Sequence, residues 1–270
     1  MTNHKPYQLI LKHLNINYQM KKPPVRQFMV LFFLISTVQI FSQDINYSID
    51  TIEIKSGILN ENRSVIVYKP FNISTSDSVK FLYLLEGENS NYIYQEIITR
   101  FKDSISNLIV ASIINPERRR DMLYINGADN FLDFITSELI PIVEKDYKTS
   151  KRILHGHSFC GSFTVYSMIH KPDCFDYYMA SSPTPIMDLI SQEDYQRIDS
   201  ASSNKIVFCF SFGSKDMKQV RKWSLKLKDN LSEMDFKNFD WRFKIFEGKN
   251  HYDGFMVALF WGMNELKRES

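Results

Sequence analysis

Six short apolar runs that lack strict polar alternation recur between residues 79 and 246 of this chain. Runs of this kind are typical of β-strands buried on both faces, because a strand with one solvated face would alternate apolar and polar residues. Segments with helical spacing separate the runs. The chain is therefore predicted to form a mostly parallel sheet covered by helices. The six runs occupy residues 79–85, 108–114, 152–154, 177–180, 206–210 and 241–246.

The helical segments are recognised by apolar residues that recur three or four positions apart. The clearest one, between residues 131 and 143, has Asp129 in its first turn and Lys145 near its end, as the helix dipole favours. Two further β-rich stretches, 47–58 and 64–68, precede the first buried run, and Asn60-Glu61-Asn62 between them indicates a hairpin turn. This order predicts an α/β fold with antiparallel N-terminal strands. The other predicted helices occupy residues 92–101, 159–169, 217–231 and 253–266.

The amino-terminal segment has the pattern of a secretory signal peptide. Residues 28–41 are apolar with few exceptions, and Lys21, Lys22 and Arg26 precede them. The run is shorter than the roughly 20 residues that a bilayer-spanning helix needs, so an uncleaved anchor is the weaker alternative and no stable membrane insertion is expected after cleavage. We expect residues 1–42 to be a signal peptide with an overextended start, Met20 being the better one. Residues 43–270 then form a single secreted or periplasmic domain.

Charge and cysteine content exclude several classes of function. The formal net charge of +2 becomes −3 without the five Lys and Arg residues of the first 42 positions, which hold no acidic residue. A slightly acidic body without a basic patch argues against nucleic acid as the main partner and favours a small-molecule ligand. The three cysteines, Cys160, Cys174 and Cys209, are odd in number and lack a Cys-x-x-Cys pair, so neither a disulfide framework nor a metal site is expected.

A strand, a tight turn and a helix are predicted around Ser158. The sequence Arg152-Ile-Leu-His leads into Gly156-His-Ser-Phe-Cys-Gly161, and apolar helical spacing follows. A serine on such a turn exposes its oxygen, while the N–H of Phe159 at the helix start faces a developing oxyanion. Cys160 stands where the pattern G-x-S-x-G has its second glycine. The alternative is a serine that only caps the helix.

A serine nucleophile needs a base and an acid that orients the base. Of the histidines after the signal region, His157 is expected to point away from Ser158, whereas His251 follows the last predicted strand at the carboxyl edge of the sheet. His251 is therefore the predicted base. Asp216, which follows the run 206–210, is the predicted acid.

Two other carboxylates, Glu247 and Asp253, are alternative candidates for the acid. Asp216 itself has a structural alternative, since an aspartate near a helix start often only stabilises the helix through its dipole. The chain order Ser158, Asp216, His251 is the one expected of α/β-hydrolases.

Several further motifs, taken in order, resemble the esterase D-like family of α/β-hydrolases. They are Tyr83-Leu-Leu-Glu-Gly-Glu88, Asn115-Pro-Glu-Arg-Arg-Arg-Asp121, Gly127-Ala-Asp-Asn-Phe-Leu132 with Glu138-Leu-Ile-Pro141, Gly156-His-Ser-Phe159, Ser181-Ser-Pro183 and His251. The resemblance runs from about residue 51 to residue 266. It implies the α/β-hydrolase fold and hydrolysis of a carboxylic ester without a metal or organic cofactor.

The resemblance also implies residue roles. Ser158 is the nucleophile, His251 is the general base, and the backbone N–H groups of Phe159 and Glu88 form the oxyanion hole. Arg118 of these motifs is a candidate substrate-binding residue. Tyr124 is a second candidate for a different reason, since an aromatic ring near the site can stack on an aromatic acid.

Arg118, with Arg120 and Asp121, has the alternative reading of a structural ion-pair cluster. Some siderophore esterases of the family resemble a Ser-His dyad, which leaves the role of Asp216 open.

The leading prediction is an exported serine esterase acting on siderophore-type or plant-cell-wall acyl esters. The alternatives are an acyltransferase that uses a sugar or lipid in place of water and a binding protein that keeps the fold without turnover. The presence of Ser158 and His251 argues against the binding protein. The sequence makes no prediction about the oligomeric state.

Overall fold

The computed structural model describes residues 47–101, 107–123, 127–184, 190–201 and 205–268. Their strands form one eight-stranded sheet with the order β1-β2-β4-β3-β5-β6-β7-β8. The strands are β1 (Tyr47–Ser56), β2 (Glu61–Pro70), β3 (Ser78–Leu84), β4 (Leu108–Ile113), β5 (Lys148–His157), β6 (Tyr177–Ser181), β7 (Ile206–Gly213) and β8 (Phe239–Phe246). The predicted signal segment and Tyr124 lie outside the described residues.

The pairing of the strands confirms the predicted mixture of directions. β1 pairs with β2 and β2 with β4 in antiparallel fashion, and each remaining neighbour pair is parallel. The carboxyl ends of β3, β5, β6, β7 and β8 therefore meet at one edge of the sheet, where parallel sheets place their working residues.

Helices cover both faces of the sheet, as predicted. One apolar cluster packs α3 to α6 against one face, and a second cluster packs α1 and α7 against the other. The helices are α1 (Ser90–Phe101), α2 (Arg118–Met122), α3 (residues 128–144, with a π-helical turn at Ile135–Leu139), α4 (Phe159–His170), α5 (Gln192–Ala201), α6 (Lys218–Ser232) and α7 (Gly254–Arg268).

Two local predictions differ from the structure. The hairpin turn occupies residues 57–60, and Glu61 and Asn62 already belong to β2, where they pair with Ser56 and Lys55. Asn60 takes the left-handed φ of 54° that ends this turn, a conformation that asparagine tolerates better than most residues. Helices α2 and α5 were not among the predicted helices.

No helix among the described residues combines the length and the apolar character that crossing a bilayer requires.

Candidate active site

Ser158 lies on a sharp turn between β5 and α4. Its φ is 58° and its ψ is −118°, a conformation that a residue with a side chain adopts at a cost. The turn is possible because Gly156 lies against the backbone of α4: a Cβ at that position would come within 2.2 Å of the carbonyl oxygen of Cys160. Ser158 is thus held at the end of β5 with its side chain partly exposed.

A chain of two hydrogen bonds connects the three residues predicted to act together. Nε2 of His251 is 2.9 Å from Oγ of Ser158, and Nδ1 of His251 is 2.8 Å from Oδ1 of Asp216. With the proton on Nδ1, which donates to the carboxylate, Nε2 accepts the hydrogen bond of the serine hydroxyl. The structure therefore brings Ser158, His251 and Asp216 together, and it places Asp216, rather than Glu247 or Asp253, against the imidazole.

Asp216 is buried, and its carboxylate is surrounded by donors. Burial acts to raise its pKa, but hydrogen bonds from His251, the hydroxyl of Ser182 and the backbone N–H of Met217 outweigh that effect, so the pKa lies below its usual value. The carboxylate stays ionised at neutral pH. It can therefore stabilise a positive charge on the imidazole of His251.

The loops that carry Asp216 and His251 are bonded to each other through their backbones. Ser214 N–H donates to the carbonyl of Phe246 at 2.9 Å, and Lys215 N–H donates to that of Lys249 at 2.9 Å. Gly213 permits this approach, since a Cβ there would lie 2.1 Å from the carbonyl oxygen of Lys249. The distance between acid and base is thus fixed by main-chain contacts.

A cleft of about 450 Å³ opens beside Ser158 and His251. Polar and aromatic groups share its walls, and the tyrosine at its rim, Tyr252, is 84% exposed. The remaining lining residues are Glu86, Asn89, Arg118, His157, Phe159, Cys160 and Phe255.

His157 does not point away from the site, contrary to the sequence prediction. Its ring lies 4.8 Å from the ring of His251, and its Nδ1 is 3.0 Å from Oγ of Ser181 at the end of β6. The prediction failed because the backbone turns sharply at Ser158, which lets the side chains of both Ser158 and His157 approach His251.

Burial lowers the pKa of His157 to about 4, with His251 and His155 adding to the effect and Glu86 opposing it. The ring is neutral at pH 7. It therefore adds no positive charge beside the base. The backbone N–H of His157 donates to the carboxylate of Glu86, which ties β5 to the segment after β3.

The two residues expected to supply the oxyanion hole follow neighbouring strands. Phe159 is the first residue of α4 and lines the cleft. Glu88 lies in the 3-10 turn Gly87–Asn89 after β3, which pairs with β5, and its side chain bonds Arg118. Glu86 and Asn89, on either side of Glu88, both line the cleft.

The arginines of α2 divide into two groups. Arg118 lines the cleft, where it pairs with Glu88. Arg120 instead joins an ion-pair cluster away from the cleft, contacting Glu61 at 2.5 Å and Asp121 at 2.6 Å. Arg63 of β2, which the sequence analysis did not single out, completes that cluster by bonding Asp121.

Among the described residues, no group of three His, Cys, Asp or Glu side chains is arranged to hold a metal ion. Cys160 and Cys209 are buried and Cys174 is half-buried, and all three are free thiols. The Sγ atom of Cys160 lies 3.5 Å from the carbonyl oxygen of Leu85, and burial raises its pKa well above the usual value. This thiol is therefore protonated, and its side chain is buried beside the turn that carries Ser158.

The chain is similar in sequence to known esterases. The sequence model of the Putative esterase family matches residues 56–262. The chain is 40% identical over 60 residues to the ferri-bacillibactin esterase BesA of Bacillus subtilis, a match covering 22% of this chain and 21% of that protein. It is 37% identical over 106 residues to a siderophore enterobactin esterase of Emericella nidulans, covering 35% and 34% of the two proteins. These matches therefore span about a fifth and a third of the relatives' lengths.

The fold is similar to that of a solved IroE-like serine hydrolase from Shewanella oneidensis. The TM-score is 0.72 at 20% identity, and the superposition covers 82% of this chain and 80% of that one. At this identity the similarity shows a shared fold, which is the α/β-hydrolase arrangement expected from the sequence.

Proposed function

This chain belongs to the Putative esterase family, and from that premise we propose that it is a serine hydrolase that cleaves a carboxylic ester. The observation that carries the proposal is the hydrogen-bonded series Ser158, His251 and Asp216 beside an open cleft. A helix-capping serine alone would need neither an imidazole at 2.9 Å nor a carboxylate behind it.

In the proposed reaction, Oγ of Ser158 attacks the ester carbonyl carbon while Nε2 of His251 takes the hydroxyl proton. The imidazolium then gives that proton to the leaving alcohol, and an acyl-enzyme remains on Ser158. Water, deprotonated by the same Nε2, attacks the acyl carbon. The bond from that carbon to Oγ of Ser158 then breaks, the imidazolium returns the proton to Oγ, and the carboxylic acid leaves. Asp216 keeps its charge throughout and holds the imidazole in the productive tautomer.

The tetrahedral intermediates carry an oxyanion that must be stabilised. We assign this role to the backbone N–H groups of Phe159 and Glu88. The support is their position at the carboxyl ends of the paired strands β5 and β3, next to residues that line the cleft. Because the N–H of Phe159 lies at the start of α4, the dipole of that helix also stabilises the oxyanion. Loss of one oxyanion-hole donor costs about 3 kcal/mol in an acyl transfer.

We propose a siderophore-type ester as the substrate class. The two relatives reported above are named a ferri-bacillibactin esterase and a siderophore enterobactin esterase, and Arg118 at the cleft wall supplies a guanidinium for an oxygen-rich substrate. Tyr124, the second candidate contact, lies outside the described residues. Rates on enterobactin and on an acylated cell-wall polysaccharide compare the two ester classes directly, and faster turnover of the polysaccharide would contradict the siderophore assignment.

The reaction is tested by fluorophosphonate labelling together with hydrolysis of short p-nitrophenyl esters. The wild type should label on Ser158 and turn over, whereas Ser158→Ala and His251→Asn should lose activity by about 10⁴-fold or more, since members of such a unit are not independent. His170→Asn is the matched control, because His170 stacks on Tyr166 at the end of α4, away from the cleft. A wild type that neither labels nor turns over would refute the proposed function.

We also propose that the protein is exported, with cleavage near Ser42 leaving residues 43–270 as the mature esterase domain. The support is the apolar run 28–41 behind a basic segment. Mass spectrometry of the amino terminus of the cell-derived protein checks this. A full-length chain recovered from the cytosol would contradict export.

A further inference from the structure

Two residues at the end of β6, Ser181 and Ser182, form hydrogen bonds with Ser158 and Asp216, the two residues that contact the imidazole of His251. Ser158 N–H donates to the carbonyl of Ser181 at 2.9 Å, which ties the nucleophile turn to β6. The next residue, Ser182, donates its hydroxyl to Oδ2 of Asp216 at 2.6 Å and its N–H to the carbonyl of Ser211 in β7 at 2.8 Å. Two consecutive serines thus connect the nucleophile turn to the acid.

Ser182 holds an unfavourable backbone conformation at this place. Its φ is 46°, in the left-handed region that glycine or asparagine adopts more readily. Glycine would fit that backbone without strain, but it would leave no hydroxyl. Strain of this kind persists only where the surroundings impose it, and here the hydroxyl faces the carboxylate of the acid.

The two oxygens of Asp216 have different partners. Oδ1 accepts from Nδ1 of His251 at 2.8 Å and from the N–H of Met217 at 2.7 Å, while Oδ2 accepts from Ser182. Asp216 and Ser182 are both almost fully buried, at 4% and 0% exposure. A buried carboxylate oxygen without a donor is costly, so removal of the hydroxyl favours rotation of the carboxylate toward other donors. That rotation moves Oδ1 away from the imidazole.

We propose that Ser182 is a positioning residue that fixes the plane of the Asp216 carboxylate and thereby aims Nε2 of His251 at Ser158. The inference rests on the proposed ester hydrolysis and adds a fourth residue to its machinery. Ser182 touches neither the substrate nor the reacting atoms. Its replacement should therefore change the rate of the proton-transfer steps and not the affinity for the substrate.

The experiment compares Ser182→Ala with Ser182→Gly. Both remove the hydroxyl, but only glycine relieves the positive φ, so the two variants separate the hydrogen bond from the backbone strain. Ser224→Ala in α6 is the control: that serine is fully buried, and its hydroxyl contacts no hydrogen-bond partner within the described residues. The measurements are kcat and KM on a p-nitrophenyl ester, the rate of fluorophosphonate labelling, and the thermal midpoint.

We expect both Ser182 variants to lose about 10- to 100-fold in kcat and in labelling rate, the value of a hydrogen bond to a charged group, with KM changed less than about threefold. Ser182→Gly should be the more thermally stable of the two. Wild-type kcat in the glycine variant, or a loss that falls on KM, would overturn the positioning role while leaving the proposed function intact. An inactive wild type would instead overturn the proposed function itself.

Discussion

At the scale of single residues, the candidate site depends on side chains whose neighbours fix their state. Asp216 is ionised because donors surround it, and His157 is neutral because burial disfavours its charge. The imidazole of His251 contacts both of these groups. In the proposed chemistry the base therefore has one negatively charged neighbour, Asp216, and one uncharged neighbour, His157.

The acid can be tested by Asp216→Asn, which preserves shape but presents an amide to His251. We expect kcat to fall by about 10³- to 10⁴-fold, because the amide permits the wrong imidazole tautomer, with a small change in KM. Steady-state kinetics on a p-nitrophenyl ester checks this. Asp253→Asn is the control, since Asp253 is exposed and its N–H donates to Asn250. A larger loss in the Asp253 variant would identify that rival as the acid.

The lowered pKa of His157 predicts that the stability of the protein depends on pH. Its folded pKa of about 4 lies below the ordinary 6.5, so between these values the unfolded state binds a proton that the folded state does not. Stability is therefore lost as pH falls from 6.5 toward 4. Glu86 and Asp216 attenuate the shift, while His155 and His251 enlarge it.

The measurement is the free energy of unfolding at several pH values for the wild type and His157→Gln. The variant should show a shallower decline between pH 6.5 and 5, a range chosen above most carboxylate titrations. Equal slopes for the two proteins would exclude His157 as the source.

At the scale of elements, buried strands were the features most predictable from sequence. The runs 79–85 and 108–114 match β3 and β4 within one residue at each end, because strands covered on both faces carry nearly continuous apolar residues. The predicted run 152–154 marks only the middle of β5, whose first half carries the polar residues of an exposed strand end.

Helix α5 was missed because apolar periodicity is faint in it. Tyr195 and Ile198 are its buried apolar residues among the described side chains, three positions apart. Its start nevertheless carries a signal: Ser191 and Asp194 form the reciprocal hydrogen bonds of a capping box. The candidate triad was predictable because each member follows a strand and is of a residue type with a known role in nucleophilic catalysis. Ser182 also follows a strand and belongs to the motif Ser181-Ser-Pro183, but its bond to Asp216 became visible only in the structure. The position of His157 depends on the sharp turn of the backbone at Ser158.

The capping box provides a test of α5. Ser191→Ala removes the side-chain acceptor of the Asp194 N–H, and we expect a loss of about 1 kcal/mol in stability. Chemical denaturation measures the change. Ser200→Ala, near the other end of the same helix, should cost less because its hydroxyl only bonds the carbonyl of Arg197. An equal cost at both positions would contradict the cap.

At the scale of the whole molecule, the antiparallel hairpin is joined to the helical layer by buried charge. Arg63 of β2 is 2% exposed, packs against the ring of Phe131 in α3, and bonds Asp121, itself 1% exposed. The cluster that the sequence offered as an alternative to substrate contact thus holds the first strands to α2 and α3.

Arg63→Met should lower stability by about 3 kcal/mol, because it removes a cation that bonds the carboxylate of Asp121 and leaves that buried carboxylate beside Arg120. For a chain of this size the thermal midpoint should fall by about 10 °C. Lys145→Ala, which breaks an exposed pair with Asp146, should change it very little. A midpoint unchanged in Arg63→Met would show that the cluster contributes no net stability.

The interlocked loops of Asp216 and His251 restrict where this scaffold can diversify. Exchange of residues on either loop would disturb both at once, since the Ser214 and Lys215 amides and the close approach at Gly213 hold them as one unit. Adaptation to a new ester should therefore accumulate across the cleft, near Asn89 and Arg118, where side chains can change size and charge while the proton-transfer apparatus keeps its spacing.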